Sequence, residues 1–167
     1  MNTGQMLITI AALMLLSLVI LRVNNSFFST SSVMLDTKFG VLAVSLATSI
    51  IEEANSKAFD KETDTTSVSY TSSLTSVSTL GPETGEVHPN FNDFDDFNGY
   101  SRSTIGDTTF QSAVFNASCM VRYTTPSAPN LNSTTQTWHK KITVTVTSPS
   151  MADTIRLSSI FSYWYFR

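Results

Sequence analysis

The sequence predicts an α+β fold: one long N-terminal α-helix, with an apolar stem and an amphipathic upper half, packed on a small antiparallel β-sheet. Three observations predict it. An uncharged apolar run occupies residues 6–21. A stripe of apolar residues three or four apart follows over residues 39–54, and alternating apolar and polar residues dominate the last third of the chain.

The first charged side chain is Arg22. Before it, residues 6–21 are apolar apart from Thr9 and Ser17. As a helix at about 1.5 Å per residue the run reaches about 24 Å, against a bilayer core of roughly 30 Å. Neutral residues at either edge lengthen it. A helix apolar on every side must be buried, in lipid or in protein. It suits a cleaved secretory signal, a permanent membrane anchor, or a helix that rests in the membrane and is later buried among copies of itself. The signal reading lacks a basic n-region in Met1-Asn2-Thr3-Gly4. The rest of the chain favours assembly.

Residues 23–32 are rich in Asn, Ser and Thr, which compete for backbone hydrogen bonds and form helix poorly. No Pro or Gly lies between Gln5 and Phe39, so the stretch reads as weak helix or a short extended interruption. From about Val33 the helical pattern returns. Phe39, Ala43, Ala47, Ile50 and Ala54 share a stripe with Leu42 and Leu46, and Asp36, Lys38, Glu52, Glu53 and Lys57 fall mostly off it. Gly40 costs about 1 kcal/mol of helix stability. The helix is expected to end near Phe59-Asp60, giving about 80 Å from residue 6 at 1.5 Å per residue. The alternative is two helices joined across residues 24–32.

Residues 61–80 read as a Ser/Thr-rich loop with a strand around residues 68–77, and Gly81-Pro82 opens an irregular loop to about Asp107. Over residues 110–123, Ala113, Phe115, Ala117, Cys119, Val121 and Tyr123 share one face of a half-buried strand. Residues 124–137 form a loop or loose hairpin tip. In the strand 140–147, Ile142, Val144 and Val146 point inward, and after the turn at residues 148–153 a strand returns over residues 154–165. The organisation is thus a stem over residues 1–32 and a head over residues 33–167. The head divides into helix 33–60, loops 61–107 and sheet 108–167.

Composition narrows the function. Charged residues are 14% of 167 and the net charge is −3, so no basic surface exists to neutralise nucleic-acid phosphates. Eleven Phe, five Tyr and two Trp furnish a core. Cys119 is alone, which excludes an intrachain disulfide, and two histidines leave little for metal or base chemistry. Ser and Thr supply roughly three residues in ten, a composition common on exposed extracellular surfaces. No serine sits in a nucleophile motif and no phosphate-binding glycine loop occurs, so an enzyme is not expected.

Asp93, Asp95 and Asp96 read as a solvated turn with Asx hydrogen bonds, pinned by Phe91, Phe94 and Phe97. The same carboxylates are candidate calcium ligands, and no other cofactor is expected. Asn24, Asn116 and Asn132 match the N-glycosylation pattern, Asn132 alone in a polar loop. His139 reads as a strand-edge residue. The aromatic end, residues 161–167, reads as half core and half contact surface.

One apolar helix turning amphipathic and packing on a small antiparallel sheet resembles the plan of type IV pilins and pseudopilins. Three strings strengthen the likeness. Residues 47–60, ATSIIEEANSKAFD, resemble the helix end of MshD-type minor pilins of the mannose-sensitive haemagglutinin pilus group. Residues 91–100, FNDFDDFNGY, resemble their Asp-rich aromatic loop, and residues 141–149, KITVTVTSP, their closing hairpin. In that family a basic leader is cleaved after a glycine, the new N-terminus is methylated, and the fifth mature residue is usually a glutamate. That carboxylate neutralises a neighbouring subunit's terminal ammonium.

Here the fifth position is Thr9 if processing follows Gly4, or Gln5 if the mature chain starts at Met1. Neither is a carboxylate, though Gln5 can still accept a hydrogen bond from an ammonium. The resemblance implies a structural subunit of an extracellular type IV pilus-like filament, serving adhesion or surface attachment. The subunit would wait in the inner membrane and be built into a homo-oligomeric helical filament by a pilus assembly machinery. Gln5, Met6, Leu7, Ile10, Leu13, Leu16, Val19 and Ile20 would form the filament core. The alternative is a membrane-anchored β-domain that binds a partner without polymerising.

Overall fold

The computed structural model describes residues 2–163. Helix α1 (Thr3–Asn55) is followed by the short helix α2 (Lys61–Thr65). Four strands then follow: β1 (Ser101–Ser103), β2 (Asn116–Tyr123), β3 (His139–Thr147) and β4 (Ile155–Ser162). They form one antiparallel sheet in the order β1-β2-β3-β4. This is the α+β arrangement expected, with the helix packed on a four-stranded antiparallel sheet. By contacts the chain divides into a unit up to Lys38 and a unit from Phe39.

The stretch at residues 23–32 is uninterrupted helix, so neither the extended break nor the two-helix alternative holds. With no Pro or Gly there, the hydroxyls fold back onto the helix instead of competing with it. Thr30 Oγ1 donates to Ser26 O at 2.9 Å, and Ser32 Oγ to Ser29 O at 3.1 Å.

Helix α1 ends at Asn55, before the expected Phe59-Asp60. A non-local contact wins. Ala58 bridges Asp93, its N–H donating to Asn92 O at 3.2 Å while Phe94 N donates to Ala58 O at 2.9 Å. Asp60 instead caps α2, where its backbone N–H and the Thr63 hydroxyl complete a capping box.

Within the second unit the helix stripe is buried as expected. Ala43, Leu46, Ala47, Ile50 and Ala54 join one core with Phe91, Phe94 and Phe97. The inner sheet face completes it with Phe115, Ala117, Cys119 and Val121 of β2 and its approach, and with Ile142, Val144 and Val146 of β3. Strands β2 and β3 alternate buried with more open positions, as a half-buried sheet requires. Cys119 is buried, which pushes its thiol up to about 12.

Three sequence expectations are corrected. Residues 68–77 contain a 3-10 turn, Thr71–Ser73, and no strand. Its neighbours Val68, Leu74, Leu80 and Val77 pack on Phe59 and Tyr123 as a second small core. Strand β2 begins at Asn116, because Thr108–Phe110 forms a 3-10 turn capped by Asp107. Its Oδ1 accepts from Thr109 N at 2.9 Å. Strand β4 ends at Ser162; the expected aromatic end beyond Tyr163 lies outside the described residues.

Candidate functional site

The first candidate is the stem. Every described residue from Asn2 to Lys38 is exposed. Of the expected core-forming residues, Gln5 is exposed and the seven apolar ones range from 45% (Ile10) to 69% (Leu7). This helix is long and apolar enough to cross a membrane. The two hydroxyls of residues 6–21 bond the helix's own backbone. Thr9 Oγ1 donates to Met6 O at 2.9 Å and Ser17 Oγ to Leu13 O at 2.8 Å, so both suit a medium without water. Fully burying one Leu or Ile side chain is worth about 1.5–3 kcal/mol, so a stem of this composition is driven strongly out of water.

The second candidate lies inside the head. Alternation along β3 places Lys140 on the same inward face as Ile142, and its side chain is fully buried. Lys140 Nζ donates to Asp60 Oδ2 and to Phe59 O, both at 2.8 Å, and also to Asp95 Oδ1. It lies 4.7 Å from the Phe59 ring centre and 5.4 Å from that of Tyr123. Asp60 accepts further from Thr75 N at 3.0 Å, Thr75 Oγ1 at 3.1 Å, Glu62 N at 3.2 Å and Tyr123 Oη at 3.3 Å.

The two carboxylates that share Lys140 differ. Burial works to raise Asp60, but Lys140's charge and hydrogen bond, with those from Thr75 and Glu62, hold it below the usual range. Burial raises Asp95 and Lys140 only partly offsets it. Asp93 accepts from Asp95 N at 2.8 Å. Burial first, then the neighbouring Asp95 carboxylate, push Asp93 up to about 9, which favours its neutral form. Burial and the same carboxylates push the Tyr123 phenol above its ordinary range.

The Asp-rich loop is thus buried rather than solvated, although Phe91, Phe94 and Phe97 pin it as expected. Its three aspartates do not converge on one point. Asp95 faces Lys140, Asp93 serves Asp95, and Asp96 Oδ2 accepts from Asn92 N at 2.9 Å and Asp93 N at 3.0 Å. Among the described residues the group with metal-ligand spacing is Glu83, Glu86 and Asp96, one carboxylate oxygen of each within 4.8 Å of the others. Burial, the side-chain contact with Glu83 and the charge of Asp96 raise Glu86.

The remaining candidates are dispersed. Asn132 is exposed in its loop; Asn116 is exposed at the start of β2 and Asn24 on the stem. His139 Nδ1 is 2.7 Å from Ser162 Oγ on the neighbouring strand. His88 Nε2 is 3.0 Å from Glu53 Oε1, its ring against Phe91 and Tyr100. Sequence reasoning missed Lys140 as an interior residue. Its parity with Ile142, Val144 and Val146 was the available signal. No protein-family model matches the chain, and no curated protein or solved structure matches it.

Proposed function

We propose that this chain is a structural subunit of an extracellular type IV pilus-like filament, held in the inner membrane before assembly and polymerised through its N-terminal helix. The observation that carries this reading is the contrast within α1. Residues up to Lys38 bury nothing, although most of residues 6–21 are apolar, whereas the stretch from Phe39 buries a stripe in a core that the second unit completes itself. The stem therefore calls for partners, since among the described residues it buries none of its apolar side chains. Copies of itself satisfy it on every side, trading lipid contacts for tight side-chain packing. The head, polar outside and rich in Ser and Thr, faces water and serves attachment.

The test is electron microscopy of material sheared from cells, with sequencing of the mature N-terminus. The reading expects filaments containing this chain with its stem retained. Recovery solely as a membrane-bound monomer, or with the stem removed, contradicts it. One observation favours a second reading, a membrane-anchored β-domain: the helix meets the length and apolarity of a single membrane span. Replacing residues 6–21 by an unrelated apolar span separates the two, since an anchored domain keeps its activity and a filament subunit stops assembling.

A further inference from the structure

We propose that Lys140 and Asp95 condense into an intramolecular isopeptide bond that staples the loop before β1 to strand β3. The argument rests on the head alone and is independent of what the stem does.

Four features converge. The Lys140 side chain is fully buried, and Asp60, Asp93 and Asp95 around it are each at most 2% exposed. Nucleophile and electrophile are already adjacent, since Nζ donates to Asp95 Oδ1, one bond from the Cγ it would attack. A second carboxyl, Asp93, accepts from Asp95 N at 2.8 Å and so lies beside Asp95, and burial and the Asp95 charge favour its neutral form, ready to give and retrieve a proton. A third, Asp60, lies 2.8 Å from Nζ and is held as an anion by backbone and hydroxyl donors, which suits it to take a proton from the ammonium. The same support makes Asp60 the poorer electrophile, so the bond is assigned to Asp95. Phe59 and Tyr123 flank Nζ and exclude water.

The step balances without any further reactant. Lys140 passes one proton to Asp60 and becomes a neutral amine, while the Asp93 proton moves onto the Asp95 carboxylate. Nζ attacks Cγ of Asp95 and the new C–N bond forms. Nζ then returns a proton to Asp93, and the Asp95 hydroxyl takes the proton from Asp60 and leaves as water. The ammonium and the Asp95 carboxylate become one amide and one water; Asp93 is again neutral and Asp60 again charged.

Two effects drive it. Groups held in contact react with effective molarities of about 10⁵–10⁸ M, which offsets the unfavourable condensation of dilute amine and acid. The reaction also removes two buried charges whose desolvation a paired arrangement repays only in part. Asp93, bonded to the Asp95 backbone beside the reacting carboxylate, acts as the acid–base catalyst.

The test is the intact mass of the full-length chain, extracted in detergent and denatured. The expected mass is lower than that of the sequence by one water. Tandem mass spectrometry of a digest should find one branched peptide joining the Asp95 and Lys140 segments. Lys140→Met and Asp95→Ala should each restore the full mass. In chain followed by mass from the moment of its synthesis, Asp93→Asn should slow the loss of water at least tenfold and remove its pH dependence, an effect that loss of packing alone does not produce. The unmodified chain suffices if variants fail to fold. A full sequence mass overturns the proposal, as does a loss of water that maps to any other pair of residues.

Discussion

The stem and the head of this chain share one helix and stabilise it by opposite means. From Phe39 to Asn55 the helix buries Ala43, Leu46, Ala47, Ile50 and Ala54 in a core built by the sheet. Up to Lys38 it buries nothing, and its continuity comes from the absence of breakers and from hydroxyls turned back onto its own carbonyls. Most helical stability in proteins comes from packing one face. The head therefore carries its stabilising surface within itself, whereas the stem exposes its own. A residue's role in this chain follows from which half it occupies.

The sharpest way to break that contrast is to charge the stem. Ile10→Asp or Leu13→Asp places a carboxylate where no partner neutralises it, at about 2.5–3.5 kcal/mol per charge in a membrane-like medium. Filaments should disappear from sheared material, while the thermal midpoint of the head, read by its aromatic fluorescence, stays unchanged. If the head melts earlier, the two halves are not independent.

The reverse experiment damages the head and spares the stem. Phe94→Ala empties a fully buried ring site and should cost about 3–5 kcal/mol of head stability by denaturant unfolding. Lys140→Met removes the group that Asp60 and Asp95 both contact, leaves two buried carboxyls against an apolar side chain, and should cost a similar amount, about 3–5 kcal/mol. Membrane insertion of the stem, measured by flotation, should be unaffected by either. Loss of insertion would show that the stem depends on the folded head.

The smallest effect concerns Glu86, half-buried beside Glu83 and the buried Asp96. Glu86 is raised in the folded state, so its contribution is greatest below its ordinary value of 4.5 and is lost as pH rises through and beyond it. Glu86→Gln should flatten that decline and raise stability at pH 7 by less than about 0.5 kcal/mol, because solvent screens the group. Thermal midpoints at pH 4, 6 and 8 check it; an unchanged slope counts against crowding of Glu83, Glu86 and Asp96.

The same division explains what was legible in the sequence. Period-two alternation exposed the inner faces of β2 and β3, and period-3.6 spacing exposed the helix stripe, because each is a local pattern. The early end of α1 was hidden, since the bridge from Ala58 to Asp93 joins segments distant in the chain. The absent strand at residues 68–77 has a related cause: Thr75 is tied to Asp60 by N–H and hydroxyl, which commits the segment to a turn. Lys140 was visible by parity alone, and its charge argued against the interior until Asp60 and Asp95 were placed beside it. The stem posed the opposite problem. Its apolarity was plain, but no local pattern says what covers it.

The central claim, that the stem ends surrounded by copies of itself, is tested most directly by placing a cysteine on it. Cys119 is buried and its thiol is inert, so a Leu13→Cys chain carries one reactive thiol. Mild oxidation of material sheared from the cell surface, free of membrane, should yield disulfide-linked dimers that vanish on reduction. Monomers alone in that fraction, or the chain found exclusively in the membrane fraction, would contradict the account.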